Sequence, residues 1–187
     1  MKILAGKLKG RNFYMPHGIR PTSDIIRKSV FDILGQDLEG LSFLDLFAGS
    51  GAMGFEAISR GAKNVVFVEK DLKCFKVVEE NMVVLEMPYY ERKECYFDTF
   101  KLDAFAAIKE FARKKRQFDI IFIDPPYSRE LAKKALKTLV AHDIVFSNSL
   151  LVFQHDKREG LPDQQGRFSL FKTRKYGASL VTIYRSS

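Results

Sequence analysis

The sequence predicts a doubly wound α/β domain: a mostly parallel, seven-stranded sheet with helices on both faces, an antiparallel C-terminal hairpin and a small N-terminal hairpin and helix. Three observations predict it. Between Ser42 and Phe153, short apolar runs alternate with longer amphipathic stretches. The first run enters a glycine-rich turn, Gly49-Ser50-Gly51, which opens a helix. The last two strand-like segments, Arg167–Thr173 and Ala178–Tyr184, flank Lys175-Tyr176-Gly177 as a hairpin would. Alternating β and α segments give parallel strands buried on both faces, with the ligand crevice at their carboxyl ends.

The elements follow in order. Lys2 to Met15 mixes basic and apolar residues around Gly6 and Gly10, which suits a small β-hairpin. Ile19 to Leu34 reads as a helix that Thr22 or Ser23 can cap, with Ile26, Val30 and Ile33 on one face. Ser42–Leu46, Asn64–Glu69, Cys95–Phe97, Phe118–Asp124 and Ser149–Gln154 read as strands. Leu72, Phe75, Val78, Val83 and Leu85 fit a helix after the second strand, and Ala104, Ile108, Phe111 and Ala112 one after the third. No repeat or low-complexity linker interrupts the chain, so one domain over 1–187 is expected, with 1–35 as an N-terminal extension and 36–187 as the core.

Composition narrows the class. The 187 residues are 46% hydrophobic, enough for a packed core. No stretch approaches the roughly 18 apolar residues of a membrane span, and Lys2, Lys7, Lys9 and Arg11 stand where a signal peptide would be apolar, so a cytoplasmic protein is expected. Cys74 and Cys95 lack CxxC spacing and a histidine pair, which predicts reduced thiols and no metal site. A net charge of +8 favours a polyanionic partner such as RNA or DNA.

The run from Phe43 to Gly54, Phe-Leu-Asp-Leu-Phe-Ala-Gly-Ser-Gly-Ala-Met-Gly, is a strand, a glycine turn and a helix start containing GxGxxG. Glycines there allow a tight turn and close approach of a ligand to backbone N–H groups. On spacing alone an NAD-type site competes, because Glu69 ends the next strand where ribose hydroxyls are usually held. Asp45 shifts the balance: a carboxylate just before the turn suits the amine and sulfonium of S-adenosyl-L-methionine and offers a pyrophosphate nothing. Asp103 fits either a helix cap or an acceptor for an adenine amine.

Ile121-Phe122-Ile123-Asp124-Pro125-Pro126-Tyr127 runs an apolar strand into a rigid turn carrying a carboxylate and an aromatic ring. Proline removes a donor and stiffens the backbone, leaving carbonyls as acceptors. Such acceptors suit an exocyclic base amine, whose lone pair is conjugated with its ring until its hydrogens are directed elsewhere. Tyr127 is placed to stack on that base. The chemistry is then alignment of the amine with an activated methyl.

These residues resemble the RsmD-type family, which methylates the exocyclic N2 of a guanine in small-subunit (16S) ribosomal RNA. The resemblance runs nearly end to end: Gly6-Lys7, Gly10-Arg11, Arg20-Pro21-Thr22-Ser23-Asp24 with Arg27, Val30, Phe31 and Leu34, then Leu44 to Gly51 with Gly54, Glu69, Asp124 to Tyr127, and Lys175-Tyr176-Gly177. It implies a Rossmann-like class I methyltransferase fold using S-adenosyl-L-methionine and releasing S-adenosylhomocysteine. It assigns cofactor binding to Asp45, Phe47, Ala48, Gly49, Ser50, Gly51, Glu69, Lys70, Asp103 and Ala104. It assigns the target amine to Asp124, Pro125, Pro126 and Tyr127, and RNA binding to Lys7, Arg11, Arg20, Thr22, Ser23 and Arg27. The implied partner is ribosomal RNA, in a partly assembled small subunit, acted on by a monomer. Ser23 departs from the pattern where a second Thr is common, and His155 stands where an acid is expected. The run Arg113-Lys114-Lys115-Arg116 reads as a solvated helix end, with phosphate contact as the alternative.

Three other functions fit parts of the pattern: N6-adenine or N4-cytosine methylation of DNA, a nucleic-acid-binding module that has lost catalysis, and an NAD oxidoreductase. The Asp-Pro-Pro-Tyr turn serves the first, the basic charge the second and the glycine loop alone the third.

Overall fold

A computed structural model describes residues 1–16, 18, 22–87, 96–126 and 130–187. Arg20 and Tyr127, two of the expected site residues, and Cys95 lie outside the described residues.

The chain begins with a narrow hairpin. Ile3 N–H donates to Arg11 O at 3.0 Å and Phe13 N–H to Met1 O at 2.9 Å, around a bridge between Lys2 and Asn12. Helix α1 spans Asp24–Leu34, the expected start at Ile19 lying outside the described residues, and of the two candidate caps Ser23 is the one used: its hydroxyl accepts from Ile26 N–H at 3.3 Å. Gly35 ends the helix at φ 109.

Strand β1 (Ser42–Asp45) is followed by α2 (Ala52–Ser59), β2 (Asn64–Val68), α3 (Leu72–Val84) and β3 (Tyr96–Phe100). Then come α4 (Ala104–Arg113), β4 (Phe118–Ile123), α5 (Leu131–Ala141), β5 (Val145–Asp156), β6 (Gln164–Gln165), β7 (Phe168–Tyr176) and β8 (Ser179–Ser186). The order across the sheet is β3-β2-β1-β4-β5-β8-β7-β6, parallel from β3 to β5 and antiparallel beyond. Among the described residues eight strands, not the seven expected, make this sheet. The extra one, β6, is two residues long and pairs Gln164 with Ser169, too short to carry any periodicity. Strand β3 extends to Phe100, past the expected Phe97, because its half-exposed edge accepts the polar Asp98 and Thr99.

Burial on both faces explains the apolar runs. Along β2, Val65 and Phe67 enter the cluster beneath α1, α2 and α3, whereas Val66 and Val68 enter the one beneath α4 and α5. Every residue of α2 is buried, since the helix lies between the sheet and the N-terminal hairpin. The hairpin is held there by Glu56, whose carboxylate accepts from Leu4 N–H at 2.9 Å and Ala5 N–H at 3.0 Å. No helix among the described residues is long and apolar enough to cross a membrane.

Candidate active site

Because β1 lies between β2 and β4, the connections leaving β1 and β4 diverge, and a crevice opens at their carboxyl ends. A cleft of about 780 Å³ occupies this position. On its floor Asp45 is 1% exposed and accepts from Gly54 N–H at 3.0 Å. Burial pushes its carboxyl up to about 7 against the pull of that N–H, and Asp124 and Glu69 add to the rise; among the described residues none of the groups acting on it is a cation. A buried acid in this state is a receptor for positive charge.

The glycine loop forms one wall. Gly49 sits at φ +55, and a Cβ built there meets nothing within 4 Å, so bare backbone faces an open space that a side chain would fill. Its N–H donates to Glu69 Oε2 at 2.9 Å, while Glu69 Oε1 accepts from Asp71 N–H at 2.8 Å. Gly54 serves a different purpose: a Cβ there would come within 2.1 Å of the Phe67 ring, so only glycine lets α2 lie this close to β2. Phe47, Ala48, Ser50, Lys70 and Ala104 line the same cleft. Its volume, open backbone and acidic strand ends fit a cationic nucleoside.

At the other end stand Asp124, Pro125 and Pro126, just beyond β4. Thr22 donates its hydroxyl to Asp124 Oδ2 at 3.1 Å. Burial pushes the Asp124 carboxyl up to about 7, and the Thr22 bond works against that rise. Ile25 and Ile26 of α1, with Tyr176, Gly177 and Ser179 of the last hairpin, form the facing wall. A hydrogen bond between Ser29 and the Tyr176 hydroxyl fastens that hairpin to α1.

A sequence profile described as "Conserved hypothetical protein 95" matches residues 1–185. The chain belongs to this family, the RsmD type. Its relatives include a Bacillus subtilis protein named "Putative rRNA methyltransferase YlbH", 32% identical over 187 residues, covering 99% of this chain and 98% of that one. The Escherichia coli K12 "Ribosomal RNA small subunit methyltransferase D" is 27% identical, covering 99% of this chain and 89% of that one. Among solved structures, "Putative methyltransferase yhhF" from Escherichia coli superposes with a TM-score of 0.85 at 26% identity, covering 100% of this chain and 98% of that one. The fold is the Rossmann-like one of the S-adenosylmethionine-dependent methyltransferases.

Within this family member, the expected site residues separate into two groups. Asp45, the residues 47–50, Glu69, Lys70, Ala104, Thr22, Ser23 and Asp124 to Pro126 converge on the cleft. Gly51 instead begins α2 at φ 80, and Asp103 caps α4 by accepting from Phe105 N–H at 2.9 Å, both behind the lining. Arg27 corrects the expectation of an RNA-facing side chain. It is 0% exposed, donating to Lys2 O at 2.9 Å and Asp24 at 2.8 Å, with Glu56 3.7 Å away. The reason is its register: Ile26 and Arg27 share the buried face of α1, so the guanidinium ties α1 to the hairpin. Arg11 reaches the carboxyl end of α3, donating to Leu85 O at 3.3 Å and Val84 O at 3.4 Å. The exposed Lys7 makes its contact through backbone, N–H to Ser59 O at 2.6 Å.

Sequence reasoning missed Gln154, which lines the cleft, and Asn81 behind the glycine loop. Asn81 is buried on α3; its carboxamide accepts from Tyr14 N–H at 2.7 Å and donates to Ser50 O at 3.1 Å, joining the glycine loop to the N-terminal segment. A polar residue at a core position of an amphipathic helix is the signal that marks it.

Proposed function

We propose that this protein transfers a methyl group from S-adenosyl-L-methionine to the exocyclic N2 amine of a guanine in small-subunit ribosomal RNA, releasing S-adenosylhomocysteine. One observation carries the reading: a buried carboxylate followed by two prolines, Asp124-Pro125-Pro126, stands in the same cleft as a glycine loop backed by Asp45 and Glu69. The names of the family members from Bacillus subtilis and Escherichia coli support ribosomal RNA as the substrate class.

The residues divide the work. The backbone from Phe47 to Ser50 and the Glu69 carboxylate would hold the donor's nucleoside and ribose hydroxyls, with Leu102 and Ala104 against its base and Asp45 near its positive charge. When bound, the donor supplies a methyl already activated by a positive sulfur. Asp124 and the Pro125 carbonyl accept hydrogen bonds from the target amine and turn its lone pair toward that methyl. An Asp124 carboxyl near 7 is also a competent acceptor for the proton the amine sheds. The N-terminal hairpin and α1, carrying the exposed Lys7, Lys9 and Lys28, face the RNA. A paired guanine must leave its stack to enter.

The test is digestion of small-subunit ribosomal RNA to nucleosides after reaction with methyl-labelled donor. N2-methylguanosine is expected. N6-methyladenosine or N4-methylcytidine in its place would overturn the choice of base, and DNA labelled in preference to RNA would overturn the choice of nucleic acid.

A further inference from the structure

We propose that Gln154 reads the hydrogen-bonding edge of the target base beside the amine held at Asp124, and thereby selects guanine. The inference rests on the guanine reading above and gives it a residue.

Strands β4 and β5 are parallel neighbours, with Ile123 opposite Phe153. Asp124 and Gln154 are therefore the next residues on adjacent chains. Phe122 and Val152, two positions earlier, both enter the cluster beneath α1. With a side-chain period of two, Asp124 and Gln154 project to that same face, and both line the cleft. Adjacent strands lie about 4.8 Å apart, a spacing comparable to the breadth of a purine's hydrogen-bonding edge. Gln154 is 5% exposed and faces Val181 across the antiparallel ladder of β8.

The chemistry then discriminates. A carboxamide presents one acceptor and one donor group side by side. If the target amine is fixed at Asp124, guanine offers N1–H as the next group along its edge and O6 after it, a donor and then an acceptor. Gln154 Oε1 accepts from N1–H, and its Nε2–H donates to O6. Adenine held by its amine offers an acceptor and then a C–H, and cytosine offers two acceptors. Guanine is thus the one amine-bearing base that satisfies both halves of the amide. A base that meets only one half of the amide is bound less well there than one that meets both.

The experiment uses the ribosomal RNA fragment carrying the nucleotide identified by the digest, made with either guanosine or 2-aminopurine at that position. 2-Aminopurine keeps the amine but lacks N1–H and O6. For the wild type, kcat/KM is expected to fall about tenfold or more on the 2-aminopurine RNA. Gln154→Leu should lose a similar factor on the guanosine RNA with little change on the 2-aminopurine RNA, so the discrimination disappears, while calorimetry shows unchanged donor affinity. Gln154→Glu, similar in size, should keep the contact to N1–H and retain part of the discrimination. Should either variant be folded and discriminate as the wild type does, or lose donor affinity instead, the inference is overturned. Failure of the wild type to make N2-methylguanosine would instead defeat the underlying choice of base, in a separate measurement.

Discussion

Thr22 and Asp124 are 102 positions apart in the chain and joined by a 3.1 Å hydrogen bond from the Thr22 hydroxyl to Asp124 Oδ2. That bond places the residue preceding the α1 cap directly on the turn that ends β4. It also opposes the effect of burial, which raises the Asp124 carboxyl to about 7.

Activity should therefore rise with pH through about 7, as Asp124 becomes the carboxylate that accepts from the target amine. Thr22→Val keeps the side-chain shape and removes the donor. The rise in kcat/KM should then move upward by about one pH unit, since a bond to a charged group is worth about 1.5–3 kcal/mol and one unit about 1.4. A pH–rate profile checks it, and an unchanged or lowered midpoint would count against a functional role for the contact.

Asp124→Asn and Glu69→Ala should fail in different ways. Asparagine keeps one acceptor but brings hydrogens toward the amine, so kcat is expected to drop about 100-fold, a loss typical of misalignment, with donor affinity retained. Removing Glu69 leaves Gly49 N–H without its acceptor and should weaken donor binding about tenfold, with a smaller effect on kcat at saturation. Calorimetry with the donor and saturation kinetics separate the two; equal loss of donor affinity in both variants would contradict the division.

Ligand-free stability should fall as pH rises from about 5 to 7.5 on account of Asp45 and, in the same sense, Asp124. Each folded-state carboxyl is raised from 3.8 to about 7, so over that interval the folded protein binds protons the unfolded chain has released. The slope is at most about 1.4 kcal/mol per pH unit for one group. His155 opposes it: burial lowers that imidazole, so its contribution to stability grows as pH rises through its unfolded value. Asp45→Asn isolates the acid, and its Tm should decline less than the wild type's by about 5 °C across the interval. Parallel Tm curves for the two proteins would refute the assignment.

Glu56→Gln should cost about 3–5 kcal/mol of unfolding free energy, read by chemical denaturation, because it removes the charge facing two buried guanidiniums. Arg60 Nη2 lies 2.9 Å and Arg27 Nη1 3.7 Å from that carboxylate, and Arg27 Nε and Nη1 have no hydrogen-bond partner among the described residues. A loss below about 1 kcal/mol would show that the charge on Glu56 is not what holds the hairpin in place.

The strand-forming segments were legible because burial on both faces demands continuous apolar runs, as in Phe118–Ile123. The carboxylates at strand ends were legible too, since Asp45, Glu69 and Asp124 each interrupt an apolar run beside a turn. Arg27 was misread for a definable reason: in sequence a basic residue near Arg20 looks like part of a nucleic-acid surface, and only its partner Glu56 shows that it points inward. Thr22 and Ser23 were equivalent as caps until Asp124 took one of them.

What the amino-acid order determined by itself is local: which segments can be strands, where the chain turns, and which turns carry acids, all set by periodicity and backbone restriction over a few residues. What only the tertiary structure decided is which distant groups share one desolvated space. Parallel register puts Gln154 beside Asp124, the packing of α1 brings Thr22 there, and α3 delivers Asn81 to Ser50. Each of these depends on contacts between residues far apart in the chain, and no local pattern encodes them.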